Sequence, residues 1–112
     1  MVAKKIDGLT WVCGGRTPDD YLNECFAYNE QRNSWDLAPG NLLIPREFSA
    51  DVLLDANSWW VTGGTGYGGT LATTEIMRLG NFSRGPDLPW PMAQHCVTKV
   101  DETRYLFFVT DG

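Results

Sequence analysis

The residues of this sequence with the greatest capacity for chemistry are its three cysteines and its only histidine. Cys13, Cys25, Cys96 and His95 are metal-ligand types, but no two cysteines have the C-x₂₋₄-C spacing that brings two ligands to one ion. His95 and Cys96 are neighbours in a predicted strand, where successive side chains point to opposite faces, so they do not pair as base and nucleophile. We expect Cys96 to be a buried core thiol. The sequence predicts no catalytic residue, no metal site and no cofactor.

A glycine-rich string, Gly64-Thr-Gly-Tyr-Gly-Gly69, formally matches the G-x-G-x-x-G fingerprint of dinucleotide-binding loops. That fingerprint requires a helix directly after it. The following segment contains the β-branched pair Thr73-Thr74, and Gly80 would end a helix after about two turns. We interpret the string as a glycine-rich loop between strands.

Composition and charge restrict the classes of partner. The chain has 112 residues, 43% of them apolar, which is enough for a core of ordinary size. Its net charge is −5, and its nine Lys and Arg residues are scattered among acids. Nucleic acids and anionic membranes are bound by clustered positive charge, so neither is an expected partner. The apolar runs are far shorter than the roughly 20 residues that span a bilayer, so no membrane insertion is predicted.

The elements that position these residues follow from an internal repeat. The run Leu9-Thr-Trp-Val-Cys-Gly-Gly15 recurs as Ser58-Trp-Trp-Val-Thr-Gly-Gly64 and as Phe107-Phe-Val-Thr-Asp-Gly112, with the last glycines 49 and 48 residues apart. This alignment places Trp60 and then Phe108 at the position of Trp11. Each run is β-branched or aromatic and is stopped by glycine, which is typical of a buried strand. Turn residues separate further strand-like segments, and the sequence predicts an all-β fold with four strands per unit. The other predicted strands are 24–28, 34–37, 49–54, 73–79, 96–100 and one beginning at residue 82.

The spacing of glycines and aromatic residues resembles the kelch repeat. In that repeat an aromatic-rich strand ends in Gly-Gly, and a Tyr follows, separated by six residues from a Trp. The matching residues are Gly14-Gly15, Tyr28 and Trp35 in the first copy, Gly63-Gly64, Met77 and Phe82 in the second, and Asp111-Gly112 in the third. Met77 thus replaces the Tyr, Phe82 replaces the Trp after a shorter turn, and Asp111 replaces a glycine.

The resemblance implies a kelch-type β-propeller in which each repeat forms one four-stranded antiparallel blade. On this basis residues 1–45 form a first blade whose first strand is partial, residues 46–92 a second blade, and residues 93–112 the first hairpin of a truncated third. A ring has about four to eight blades, so these cannot close one. We therefore expect further blades of the same protein, or self-association, to cover the open faces.

The function implied by the resemblance is non-catalytic binding of a protein partner through loops on one propeller face. The alternative is a fragment of a propeller enzyme such as a copper carbohydrate oxidase, whose Tyr and His ligand set is not discernible here. Aromatic and Arg side chains dominate interface hot spots. Arg46 also has a structural interpretation, because kelch repeats often carry Arg after Pro at this place. The residues we select as partner-binding are Arg16, Asp19, Asp20, Tyr21, Arg46, Tyr67, Trp90 and His95.

Two further features concern covalent modification. Cys13 and Cys25 in the first unit correspond, 49 residues later, to Thr62 and Thr74 in the second. The inferred blade places the two cysteines on adjacent antiparallel strands. A cross-strand disulfide and two small buried thiols are both compatible with that placement. Asn81-Phe-Ser satisfies the N-glycosylation sequon at an inferred turn. Together these features favour a secreted or cell-surface parent protein over the cytoplasmic adaptors that also carry kelch repeats.

Overall fold

A computed structural model of the chain describes residues 1–109 and consists of β-strands, turns and loops over that range. The predicted all-β class is confirmed. Within these residues no helix has the length and apolar character needed to cross a membrane. Asp111 and Gly112 lie outside the described residues. The strands are β1 (Val2–Ile6), β2 (Leu9–Cys13), β3 (Cys25–Asn29), β4 (Ser34–Leu37), β5 (Ala50–Asp55), β6 (Ser58–Thr62), β7 (Thr65–Gly66), β8 (Gly69–Thr70), β9 (Thr74–Arg78), β10 (Asn81–Arg84), β11 (Cys96–Asp101) and β12 (Arg104–Phe108).

The strands form two four-stranded antiparallel sheets and two hairpins. Sheet 1 has the order β1-β2-β3-β4, and sheet 2 has the order β5-β6-β9-β10. β11 and β12 form a hairpin that we call the third hairpin, because it corresponds to the first two strands of a third unit. β7 and β8 form a short hairpin between β6 and β9. We expected the first strand of the first unit to be partial, but Val2–Ile6 pairs along its whole length with Leu9–Cys13. Sheet 1 and sheet 2 therefore have the same four-stranded arrangement.

The register shows how the three units correspond. Ala50 pairs with Thr62 in sheet 2, and Cys96 pairs with Phe108 in the third hairpin. The paired strands of the second and third units are therefore 46 residues apart, and not 48 residues apart like the last glycines of these units. The second unit has shorter connections between its strands. Leu106, and not Phe108, takes the position of Trp60 in the third unit.

The core lies where one sheet packs against the next. One face of sheet 1 carries Trp11 and packs on the face of sheet 2 that carries Trp59 and Phe82, with the Phe82 ring centroid 6.3 Å from Trp11 and 6.2 Å from Trp59. Alternation along each strand makes this possible, since every second side chain points to the same face. Burial of each large side chain contributes about 1.5–3 kcal/mol. The opposite face of sheet 2 packs on the third hairpin, with Trp60 5.2 Å from Tyr105.

Candidate functional site

Two short loops at one end of the sheets carry most of the predicted partner-binding residues. The first is closed by a bridge between Arg16 and Tyr21, and the second by the pair Thr65 and Thr70, 49 residues further on. Thr17 shapes the first loop, because its Oγ1 accepts the Asp20 backbone N–H at 3.0 Å. The two loops are therefore equivalent turns in successive units.

The connections between units pack against these loops. Gly15 donates its N–H to the carbonyl of Arg46 at 2.8 Å, and Gly64 donates to the carbonyl of Met92 at 2.7 Å. Gly14 has φ +74°, and a Cβ there would lie 2.6 Å from the Arg46 carbonyl oxygen. Glycine is therefore required for this close approach. These bonds place the loops and the connections 41–46 and 91–95 at one end of the structure.

Four side chains from the two loops contact one another, and we call Arg16, Asp20, Tyr21 and Tyr67 the loop-face cluster. The Tyr67 hydroxyl donates to Asp20 Oδ1 at 2.9 Å and approaches the Tyr21 carbonyl at 3.3 Å. The rings of Tyr21 and Tyr67 meet edge to face, with centroids 5.2 Å apart. The Arg16 guanidinium lies 5.2 Å from the Tyr21 centroid, a cation–π distance. The structure thus brings together residues from two successive units.

The cluster is exposed while being internally bonded. Tyr67 is 66% exposed, and the side chain of Arg16 is 51% exposed. The hydrogen bond to Asp20 raises the pKa of the Tyr67 hydroxyl above its ordinary value of 10.0, so it remains a donor at neutral pH. Arg16 also approaches Glu47 at 3.8 Å. The surface offers two aromatic rings, an acceptor carboxylate and a guanidinium in an ordered arrangement.

Asp19 and Trp90 lie on the same set of loops but outside the contacts of the cluster. Asp19 is exposed, and its backbone N–H donates to Thr17 Oγ1 at 3.3 Å. Trp90 is 58% exposed on the second connection. Both residues remain accessible to a partner.

Arg46, which was selected from the sequence as a partner-binding residue, is buried and is bonded to other parts of the chain. It is 1% exposed, and its Nη2 lies 2.8 Å from Glu75 Oε2. Its Nη1 donates to the carbonyls of Gly63 and Thr73 at 2.8 and 2.9 Å. Burial lowers the pKa of Arg46, and the charge of Glu75 opposes that shift. A buried charge must be paired, and these bonds pair the Arg46 guanidinium. They hold its side chain between the connection 41–46 and sheet 2.

His95 is also buried and does not reach the surface, so its selection as a partner-binding residue is wrong. Its Nε2 lies 2.8 Å from Thr62 Oγ1, and its ring stacks on Phe107 with centroids 6.1 Å apart. Its Nδ1 has no hydrogen-bond partner within the described part of the chain. Burial lowers the pKa of His95 below its ordinary value.

The remaining predicted sites lie away from the loop face or inside the sheets. Cys13 and Cys25 are directly opposed on β2 and β3, with Cα atoms 4.1 Å apart, and form a disulfide. Cys96 is exposed, not buried as expected, and is the one unpaired cysteine among the described residues. Asn81 is exposed at the first residue of β10. No group of three or more His, Cys, Asp and Glu side chains within residues 1–109 could hold a metal ion.

Glu75 is a residue that the sequence reasoning missed. It is 1% exposed on β9, and besides Arg46 its carboxylate accepts the N–H of Leu43 at 2.5 Å and of Ile44 at 3.1 Å. A charged residue within a predicted strand was the available signal. Its position beside Arg46 depends on how the connection folds back onto sheet 2.

A concave region lies at the other end of sheet 1, between its two hairpin turns. This cleft of about 390 Å³ is lined mainly by polar residues, and its ion pair between Lys5 and Glu30, at 3.2 Å, is exposed. Exposed ion pairs contribute little, about 0–1 kcal/mol. The cleft has no exposed aromatic residue in its lining, so the loop-face cluster is the stronger candidate.

Comparison of the sequence with protein-family models and with curated proteins gave no match. The side chains of the loop-face cluster and the repeated sheets that hold them are therefore the features that bear on function.

Proposed function

We propose that this chain is part of a kelch-type β-propeller and that it binds a protein partner, without catalysis, through the loop-face cluster. The repeated four-stranded sheets and the glycine loops at one end support the fold. The observation that carries the function is the exposed contact between Tyr67 and the Asp20–Tyr21 segment, which joins two units into one ordered surface. A surface fixed in advance loses little side-chain entropy when a partner binds.

The chemistry of the cluster suits a polypeptide surface. Tyrosine combines a large apolar ring with a hydrogen-bonding hydroxyl, and Tyr and Arg are enriched at the centres of interfaces. Tyr21 and Tyr67 supply the rings, and Arg16 and Asp20 supply one charge of each sign. Trp90 and Asp19 extend the surface along the same end. We expect truncation of Tyr67 to cost about 2 kcal/mol or more of binding free energy, as at other aromatic hot spots.

The test is a comparative binding experiment with matched surface variants. The wild-type chain, Tyr67→Ala and Trp35→Ala are immobilised, and proteins retained from extracts or secretions of the source cells are quantified by mass spectrometry. Trp35 is 58% exposed on the outer face of sheet 1, so its replacement removes a comparably accessible aromatic side chain away from the loops. Retained candidates are then purified, and their affinities for each variant are measured by calorimetry.

We expect a partner that binds Trp35→Ala as tightly as the wild type and binds Tyr67→Ala at least 30-fold more weakly, which corresponds to about 2 kcal/mol. Tyr67→Phe separates the ring from the hydroxyl, since it keeps the ring contact with Tyr21 and removes the bond to Asp20. A partner whose affinity depends on Trp35 and is indifferent to Tyr67 would contradict the proposal.

A further inference from the structure

Gly68, at the tip of the second loop, is a glycine that neither its backbone nor its surroundings require. Every other glycine among residues 1–109 either has a positive φ or would place a Cβ closer than 3.0 Å to another atom. Gly68 does neither, and no atom beyond its sequence neighbours lies within 4 Å of where its Cβ would be. Alanine at such a position normally stabilises a protein, because it restricts the unfolded chain. Stability therefore does not account for this glycine.

The equivalent position of the first loop shows that a loop of this length accepts a side chain there. Each loop has six residues, 16–21 and 65–70, between equivalent closing backbone hydrogen bonds of 2.9 and 2.8 Å. By this count Asp19 is the counterpart of Gly68, and both residues are exposed. The open glycine therefore distinguishes the second loop from the first.

The space that this glycine leaves open lies next to an accessible aromatic ring. Gly68 directly follows Tyr67, which is 66% exposed. The Tyr67 hydroxyl is bonded to Asp20 at 2.9 Å, and its ring packs edge to face on Tyr21, so the ring is held in place. Glycine permits the close approach of another backbone, which a side chain at residue 68 would obstruct. A partner chain can therefore come close to the backbone beside this ring.

The charges around this opening favour a cation. The two loops contain one cation, Arg16, and two carboxylates, Asp19 and Asp20. Arg16 lies 3.8 Å from Glu47, whereas neither aspartate forms an ion pair within residues 1–109. The Asp20 carboxylate lies at the hydroxyl end of the Tyr67 ring. A Lys or Arg side chain over that ring would gain a cation–π contact and a nearby carboxylate together.

We infer that the partner binds through a segment that carries a Lys or Arg side chain. Its main chain passes over Gly68, and its cation lies over the Tyr67 ring beside Asp20. The open glycine admits the main chain, and the ring and the carboxylate select the cation, so Gly68 is a specificity-determining position. This inference rests on the proposed function, because it gives the chemistry of the partner for the same surface.

The probe is a phage-displayed library of short random peptides, selected on the immobilised full chain. In each round, phage that bind Tyr67→Ala are removed first. That variant has the same net charge of −5 as the wild type, so this step eliminates peptides that are attracted by charge alone. The recovered peptides are labelled with a fluorophore, and their affinities are measured by fluorescence anisotropy. Each peptide is compared with a form whose Lys and Arg residues are replaced by Gln.

Three protein variants separate the effects of space and charge. Gly68→Asn adds a side chain of the size of Asp19 without a charge. Asp20→Asn removes a carboxylate and keeps an oxygen that can accept the Tyr67 hydroxyl. Gly8→Asn is the matched control, because Gly8 is exposed at the opposite end of sheet 1 and its Cβ would also meet open space. Its φ of +83° makes Gly8 the more strained position for the same substitution.

We expect the recovered peptides to contain Lys or Arg and to bind Gly68→Asn at least about tenfold more weakly than the wild type. Replacing their Lys and Arg by Gln should weaken binding to the wild type by a similar factor. Asp20→Asn should weaken binding at least about threefold, and Gly8→Asn should leave it unchanged. The Tm of Gly68→Asn should not fall below that of the wild type, because the added side chain meets no neighbour. Gly68→Ala, which adds only the Cβ, is a second variant that should weaken binding less than Gly68→Asn does.

Three results would overturn this inference and leave the proposed function standing. They are equal affinities of Gly68→Asn and the wild type, binding that survives the loss of Lys and Arg, and equal weakening by Gly8→Asn. Recovery of no peptide that depends on Tyr67 would overturn the inference as well. The proposed function fails in a different experiment, when a protein retained from extracts is indifferent to Tyr67.

Discussion

The ion pair between Arg46 and Glu75 gives the strongest prediction about stability. Both side chains are 1% exposed, and their closest atoms are 2.8 Å apart. Arg46→Met removes the cation and retains an unbranched apolar chain of the type that Met92 provides in the next connection. Glu75 then remains as a buried carboxylate whose partners within the described chain are the two backbone N–H groups of Leu43 and Ile44.

The expected loss follows from the burial of that charge. Removing one partner of a buried ion pair costs about 3–5 kcal/mol, because the other charge stays desolvated. Domains of this size are stable by about 5–15 kcal/mol, so the loss is a large fraction of the total. The double variant Arg46→Met/Glu75→Gln has no buried charge, and its amide oxygen can still accept a backbone N–H. We expect it to be more stable than Arg46→Met by at least about 1 kcal/mol.

Urea unfolding followed by tryptophan fluorescence and by far-UV circular dichroism measures these free energies. Arg84→Met is the matched control, because the Arg84–Asp87 pair is exposed and its loss should cost less than about 1 kcal/mol. Coincident transitions with the two probes establish that each variant unfolds in one step. A cost below about 1 kcal/mol for Arg46→Met, or further destabilisation when Glu75→Gln is added, would refute the reasoning.

Three further outcomes concern the cysteines, the histidine and the sequon. Denatured, unreduced protein should contain one titratable thiol, that of Cys96, because Cys13 and Cys25 are bridged; three thiols before reduction would contradict this. Burial lowers the pKa of His95 below 6.5, so the free energy of unfolding should be level above pH 6.5 and fall as the pH drops through it, by up to about 1.4 kcal/mol per pH unit. His95 is the only histidine, so urea unfolding of His95→Gln should lack this slope, and equal slopes in the two proteins would contradict it. After expression through a secretory pathway, mass spectrometry should find a glycan that Asn81→Gln abolishes, and a secreted chain unmodified at Asn81 would contradict the glycosylation predicted from the sequon.

The strands and their turns were predictable because the signals for them are local. Alternating apolar residues, β-branched runs and glycine or Asn-rich turns specify a strand within a few residues. The strands after the glycine loops and the hairpins at 49–54 and 96–100 were therefore placed within about a residue or two of their observed bounds. β1 was predicted only as a partial strand, because Lys4 and Lys5 interrupt its short apolar pattern.

The burial of individual side chains depended on contacts between units that no local pattern contains. Arg46 and His95 occupy loops whose composition suggested exposure, but each loop folds back over a neighbouring sheet and buries them. Cys96 lies in an apolar strand, yet it is exposed because no sheet in the described chain covers that face of the third hairpin.

Tyr67 and Asp20 are 47 residues apart, and their hydrogen bond exists because two successive sheets stack with their loops at one end. A sequence repeat specifies which strands form and in what order, since each strand depends on its own residues. The surface that those strands present depends on the angle and spacing at which whole sheets pack, a property of many distant contacts together.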